Sequence, residues 1–204
     1  MAKALTRVSI RPVLPERLDD LASLFGTSKT TTGCHCMWFL VPAKECEAGW
    51  SGGNRRAFEA LAGISSEALG LLAYRDQEAV GWCAAGPRTR YARALRSPIL
   101  KGRDEVEDSR VWLVPCFYVR RDARKGGVTR ALLEGAAALA RKHGAHAIEG
   151  FPLAGDRRRS TGEAFVGVEP LFASCGFTAV ARPSASRVIM RRDLRRPKST
   201  PRSP

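Results

Sequence analysis

The sequence predicts a mixed α/β fold in a single domain. Apolar runs of strand length alternate with helical patterns, and one pair of runs reads as a hairpin. The strongest apolar run leads, through a short glycine-containing turn, into the strongest helical pattern. A chain of 204 residues fits one large domain, and 44% hydrophobic residues are enough to fill its core.

The elements follow in order. "RVSIRPV" (7–13) alternates as a strand does, and "PERLDDLASLFG" has Pro15 placed to start a helix and Gly26 to end it. "TTTGCHCMWFLVP" reads as a polar loop running into an apolar segment. "GWSGGN" is loop, and Asn54 suits the N-cap of "RRAFEALAGI". In "ALGLLAYRDQEAVGWCAAGPR" two apolar runs flank the turn-forming "RDQE", as in a hairpin. "YARALRSPILKGRDEVEDSR" is charged and irregular, with room for one short helix. "VWLVPCFYV" (111–119) is nearly continuous apolar sequence, as in a central buried strand. Pro115 cannot donate to a strand ladder, so it marks a bulge or a parting of neighbouring strands.

Val128, Ala131, Leu132, Gly135, Ala136, Leu139 and Ala140 then form one apolar stripe at helical spacing. Arg141 and Lys142 suit the C-terminal dipole of that helix, and Gly144 suits its cap. "AHAIEGFPL" is another strand, "VEPLFASCGF" a short helix ending at Gly176, and "ASRVIMRRDL" a last strand. The domain is expected over 7–194. A basic tail rich in Pro and Ser, expected to be disordered, follows over 195–204.

Charge bounds the partners. The net charge of +14 predicts affinity for anions: nucleic acid, acidic membrane or a phosphorylated small molecule. The tail inflates that total. No apolar run approaches the length of a membrane span, and "MAKALTRVSIRPV" has no hydrophobic signal region, so a cytoplasmic location is the default and no membrane partner is expected. Nucleic acid ranks low, because the aromatics are not interleaved with basic residues as stacking platforms require. Three of the six cysteines sit in apolar or alternating runs and read as reduced core residues, and no disulfide framework is expected.

The turn from Arg124 to Thr129 carries the chemistry. A helix N-terminus presents unpaired N–H groups and the positive end of a dipole, which together make an anion site. Gly126 and Gly127 let a ligand approach the backbone closely, and Arg120, Arg121, Arg124 and Lys125 add positive charge. A phosphate or diphosphate is the natural occupant. The patterns G-x-x-x-x-G-K-[ST] and G-x-G-x-x-G are both absent.

"Arg124-Lys125-Gly126-Gly127-Val128-Thr129" resembles the R/Q-x-x-G-x-G/A loop of the GCN5-related N-acetyltransferases (GNAT family), which in that family binds the pyrophosphate of acetyl-CoA. "CFYV" resembles the family's fourth strand, and "LFASCGF" its L-[YF]-x-x-x-G-F helix end before a closing strand. The resemblance implies a central mixed, mostly antiparallel sheet with splayed central strands, flanked by helices. It implies acetyl-CoA as co-substrate and an amine-bearing acceptor, with the thioester contacted by Phe117, Tyr118 and Val119 and the diphosphate by Arg124 to Thr129, Val128 included. Thr129 stands where the family usually has Gly or Ala. Phe172 stands where many members have a Tyr that protonates the leaving thiolate, and is placed at the cofactor without that role. A thiol titrates near about 8.5, so it can leave without a dedicated acid.

Transfer needs a neutral amine, hence a base or a water chain, and N–H donors for the developing oxyanion. Glu149 in "AIEGFP" is the candidate general base, set against the plainer reading of a surface carboxylate. His35, Cys36 and Trp38 are the candidate acceptor pocket, the plainer reading being core. "Cys34-His35-Cys36" with Cys46 lacks C-x-x-C knuckles, and no metal is expected. The run 104–108 is read as a solvated acidic loop. A non-catalytic acyl-CoA-binding regulator on the same fold stays open, as do a homodimer, a larger acyl group, and a polyamine, aminoglycoside-like, amino-acid or protein N-terminal acceptor.

Overall fold

The computed structural model describes residues 8–155 and 163–194. Strand β1 (Ser9–Pro12) leads through a 3-10 turn at Pro15–Arg17 into helix α1 (Leu18–Phe25), with Asp19 and Asp20 in its first turn beside the positive dipole end. Helices α2 (Lys29–Cys34), α3 (Ala43–Ala48) and α4 (Gly53–Ile64) follow. The hairpin β2 (Gly70–Arg75) and β3 (Glu78–Pro87) turns through Asp76 and Gln77, both at positive φ. A short helix α5 (Ala92–Leu95) precedes β4 (Val111–Val119), and helix α6 (Val128–Lys142) precedes β5 (Ala147–Gly150). Helix α7 (Glu169–Ala173) and the hairpin β6 (Thr178–Ser184) and β7 (Arg187–Asp193) complete the described chain. The expected basic tail at 195–204 lies outside the described residues.

The seven strands form one sheet in the order β1-β2-β3-β4-β5-β7-β6. All neighbours are antiparallel except β4 and β5. Helix α6 packs on one face, where Val128, Leu132, Leu133, Ala136 and Ala140 are buried against strand residues such as Val80, Cys83 and Phe117. Helices α1 to α4 cover the other face around Phe25, Phe58, Trp82 and Tyr118. A third cluster, with Leu100, Leu113 and Phe151, lies beneath the segment that follows β3.

Three local expectations needed correction. The stretch read as loop before Pro42 holds α2 and a 3-10 turn at Met37–Phe39, and α3 follows. These pieces are too short to show a helical period. Asn54 is not the N-cap of α4; Gly52 is. The buried Asn54 amide instead donates to the Gly33 and Cys46 carbonyls, both at 2.8 Å, and ties α4 to α2 and α3. The C-terminal part has two strands where one closing strand was read. The extra strand, β6, is exposed along its length and contains Pro183, so it shows no alternation and sits at a sheet edge.

Candidate active site

The site is built around an irregularity in β4. Ala84 of β3 faces Cys116 and Gly86 faces Leu113, so β4 carries one more residue than β3 across that interval. The extra residue falls at Val114–Pro115, where a proline can be accommodated. On its other side β4 pairs with β5 only from Val111 to Val114, and β5 ends at Gly150. From Cys116 onward β4 pairs with β3 alone, and its second edge is open.

Alternation decides which groups face that edge. The Arg120 N–H bonds to the Val80 carbonyl on β3 at 2.9 Å. In an antiparallel ladder every second residue repeats that direction, so Tyr118 bonds toward β3 while Phe117 and Val119 turn their N–H and C=O groups to the open side. The Val119 carbonyl accordingly accepts from Arg124 Nε at 3.0 Å. The Gly150 end of the opening is tightly packed: a Cβ on Gly150 would lie 2.4 Å from the Phe172 ring.

The turn below β4 has the geometry of an anion cradle. Lys125 has φ 62° and Gly127 φ 76°, both in the left-handed region. Gly127 is the N-cap of α6, no side chain caps the helix, and a Cβ on Gly127 would meet nothing within 4 Å. The first turn of α6 thus presents uncapped N–H groups to open space. Val128 is buried beneath it, and Arg124, Lys125, Gly126 and Gly127 are exposed. Arg120 is paired with Glu78 and Asp122.

Two recesses meet above the open edge. A groove of about 980 Å³ is lined by Arg120, Arg121 and Arg124 and by Thr27. A cavity of about 470 Å³ lies deeper, between the sheet and helices α1, α2 and α5. Thr30, Tyr118 and Phe165 line both, so the basic groove runs into the cavity. The Tyr118 hydroxyl is held by the Thr27 hydroxyl at 2.7 Å. The cavity wall is aromatic, with Phe25, Trp38, Trp50, Trp82, Phe151 and Phe165 among its residues.

The expected acceptor-pocket residues divide. Cys36 and Trp38 line the cavity. His35 is buried with its ring edge-on to Phe25 and Phe58, and burial lowers its pKa to about 4, so it is a neutral wedge between helices. His35 and Cys36 both have left-handed backbones, at φ 42° and 60°. The Trp82 indole N–H donates to Cys36 Sγ at 3.2 Å. A hydrogen bond from Cys116 and this indole lower the Cys36 pKa against the effect of burial. The six cysteines are free thiols, and among the described residues no group of three or more His, Cys, Asp or Glu could hold a metal.

Glu149, the expected general base, is held in ion pairs. It is buried on β5, and each of its oxygens is taken by a guanidinium: Arg88 Nη2 at 2.7 Å and Arg191 Nη1 at 3.1 Å. Arg88 also binds Asp108, and Arg191 binds Glu107, whose pKa its hydrogen bonds lower. Of the acidic run at 104–108, residues 104–106 are exposed, as expected of a solvated loop, while the partly buried Glu107 and Asp108 join the ion network around Glu149. Phe172 is fully buried against Phe117 and Phe177, inside the α6 face of the core.

Sequence reasoning missed the two cations of the cavity wall, Arg93 and Arg187. Arg93 lies in the segment read as irregular, and Arg187 begins β7; neither has a motif around it. Phe151 and Phe165 were missed for the same reason.

A sheet opened at its centre, with a basic groove running into an apolar cavity beside an uncapped helix N-terminus, is the frame of an acyltransferase, and the comparisons with known proteins agree. The sequence profile of the acetyltransferase (GNAT) family matches residues 36–159, more than half of the chain, and the chain belongs to that family, whose members use acetyl-CoA as co-substrate. The fold is similar to that of an acetyltransferase from Thermus thermophilus (17% identity, 93% of this chain and 99% of that one, TM-score 0.53). It is also similar to yncA from Salmonella typhimurium, solved with its cofactor acetyl-CoA (14% identity, 94% and 96%, TM-score 0.54). A third similar structure is an N-acetyltransferase from Staphylococcus aureus (13% identity, 93% and 99%, TM-score 0.55). No curated protein matches the sequence. No helix among the described residues is long and apolar enough to cross a membrane.

Proposed function

We propose that the chain is an acetyl-CoA-dependent N-acetyltransferase in which the acceptor amine attacks the thioester directly. The observation that carries this reading is the continuity of the basic groove with the aromatic cavity across the open edge of β4. Arg121, Arg124 and the N-terminus of α6 would hold the diphosphate, with Lys125, Gly126 and Thr129 around it. The freed N–H groups of Phe117 and Val119 fit the pantetheine and the acyl oxygen, and act as fixed donors where negative charge develops. The aromatic walls exclude water from the acyl group, so transfer to the amine is favoured over hydrolysis. Acetyl-CoA brings the activated acyl group and a thiol that leaves without a dedicated acid.

Glu149, bound by two guanidiniums, does not serve as the general base in this reading. Proton removal falls to water entering from the groove. The test follows thiol release from acetyl-CoA across a panel of amines, alongside melting curves with and without acetyl-CoA. A melting temperature unmoved by saturating acetyl-CoA defeats the proposal.

The absence of a hydroxyl at Phe172 and the engagement of Glu149 favour one second reading, an acyl-CoA-binding regulator without turnover. That reading predicts the thermal shift without thiol release for any amine.

A further inference from the structure

The cavity wall combines aromatic rings with two guanidiniums, Arg93 and Arg187. The Arg93 guanidinium carbon lies 3.5 Å from the centroid of the Trp38 ring, which fixes the plane of the group. Its Nη1 is buried and has no hydrogen-bond partner in the described structure. A buried N–H of a charged group is costly to leave unmatched. Among the described residues no carboxylate side chain lines the cavity.

Resting on the acetyl-transfer reading above, we infer that the acceptor is a small amine bearing a carboxylate on an aromatic or similarly bulky apolar body, with an aromatic α-amino acid as the simplest member. The carboxylate supplies the acceptor atoms that Arg93 lacks, and guanidinium is the side chain best matched to it. The rings of Trp38, Trp50, Phe151 and Phe165 take the apolar body.

The same charge bears on the amine. The Arg93 guanidinium disfavours a nearby ammonium and favours its neutral form. Desolvation in the cavity acts in the same direction, which matters in a reading where the expected base is locked in ion pairs. Polyamines and aminoglycosides, which arrive as multiple cations, meet the Arg93 guanidinium and, among the described lining residues, no carboxylate.

The experiment compares phenylalanine, phenylalaninamide, phenethylamine and spermidine as acceptors by thiol release and product mass, with acetyl-CoA thermal shift measured in parallel. Phenylalanine is expected to exceed both carboxylate-free analogues by at least about tenfold in kcat/KM, as one lost charge-assisted hydrogen bond implies, and spermidine to be inert. Arg93→Gln is expected to raise KM for phenylalanine and erase that ratio while leaving the acetyl-CoA shift intact. Arg93→Lys should restore part of the ratio. Should phenethylamine or spermidine match phenylalanine, or should acetyl-CoA bind while phenylalanine goes untouched, the inference is overturned and the parent reading survives. If acetyl-CoA itself does not bind, both fall together. The comparison of acceptors on the unaltered protein stands even if a variant fails to fold.

Discussion

Replacing Gly127 in two ways separates backbone strain from charge in the cradle. Gly127 sits at φ 76° and ψ 0°, and a Cβ there meets no atom within 4 Å. Gly127→Ala therefore adds conformational strain and no clash. A left-handed non-glycine residue costs roughly 1–2 kcal/mol. For a chain of this length about 1 kcal/mol moves the melting temperature by roughly 2–4 °C, so the apo protein should melt about 2–8 °C lower. The acetyl-CoA shift should persist, because the N–H groups of α6 keep their places.

Gly127→Glu carries the same strain and sets a carboxylate beside the diphosphate site. Two like charges about 4 Å apart repel by roughly 1 kcal/mol in water and about 4 kcal/mol at an effective dielectric near 20. The dissociation constant should rise about 5-fold to about 1,000-fold. The assay is a melting series over acetyl-CoA concentration for the three proteins, with isothermal titration on the two that bind. A Gly127→Glu protein that keeps the full ligand shift refutes the placement of the diphosphate. A Gly127→Ala protein that loses the shift with no loss of apo stability refutes the division into strain and charge.

Three further outcomes are expected. Glu149→Gln should destabilise the fold by about 3–5 kcal/mol in urea melts, because Arg88 and Arg191 lose a buried partner, yet leave the pH profile of kcat/KM unchanged; loss of its acidic limb would restore Glu149 as the base. His35 is held near pH 4, below the ordinary 6.5. The unfolded chain therefore binds the extra proton first, so stability is full above about pH 6.5 and falls as pH drops toward 4, by up to about 2 kcal/mol at pH 5. His35→Asn, which tolerates the left-handed backbone and does not titrate, should flatten that slope in urea melts at pH 7 and 5. Peptide mapping after brief iodoacetamide treatment should find Cys36 modified first and acetyl-CoA protective. Its pKa is lowered by the Cys116 and Trp82 hydrogen bonds, while that of Cys34 is raised to about 12 by burial. Earlier reaction at the buried Cys83 would contradict that order.

The fold was legible where a period or a special residue left a signal. The stripe from Val128 to Ala140, the unbroken run of β4 and the hairpin turn at Asp76–Gln77 each show a pattern that one element type explains. Pro115 showed where the sheet opens, because a missing donor cannot be hidden in a central strand. The residues that did not declare themselves act through distance in sequence. Arg88 and Glu149 are 61 positions apart, and their burial depends on a pairing that local pattern does not encode. Arg93 and Arg187 meet the same cavity from well-separated parts of the chain. A lone arginine in a polar stretch looks like surface until the fold encloses it.

The extra residue in β4 ties the two halves of the site together. Before the bulge, Trp112 and Val114 point to the α6 face; after it, Phe117 and Val119 do. Side chains alternate with period two, so the change from even to odd numbers is the work of the one inserted residue. Cys116 and Tyr118 stand on the cavity side, where both line the wall. The same insertion coincides with the end of pairing to β5, which frees the Phe117 and Val119 backbone. Deleting Pro115 would therefore do more than repair a ladder. With the extra residue gone, Cys116 follows Val114 in regular alternation, so Phe117 stays on the α6 face and Tyr118 on the cavity side; what is lost is the local bend at which β4 stops pairing with β5. The bend, not the facing of the side chains, parts β4 from β5, so a variant that restores regular pairing is expected to narrow the open edge beside Phe117 and Val119 and to weaken acetyl-CoA binding and acyl transfer in the same assays.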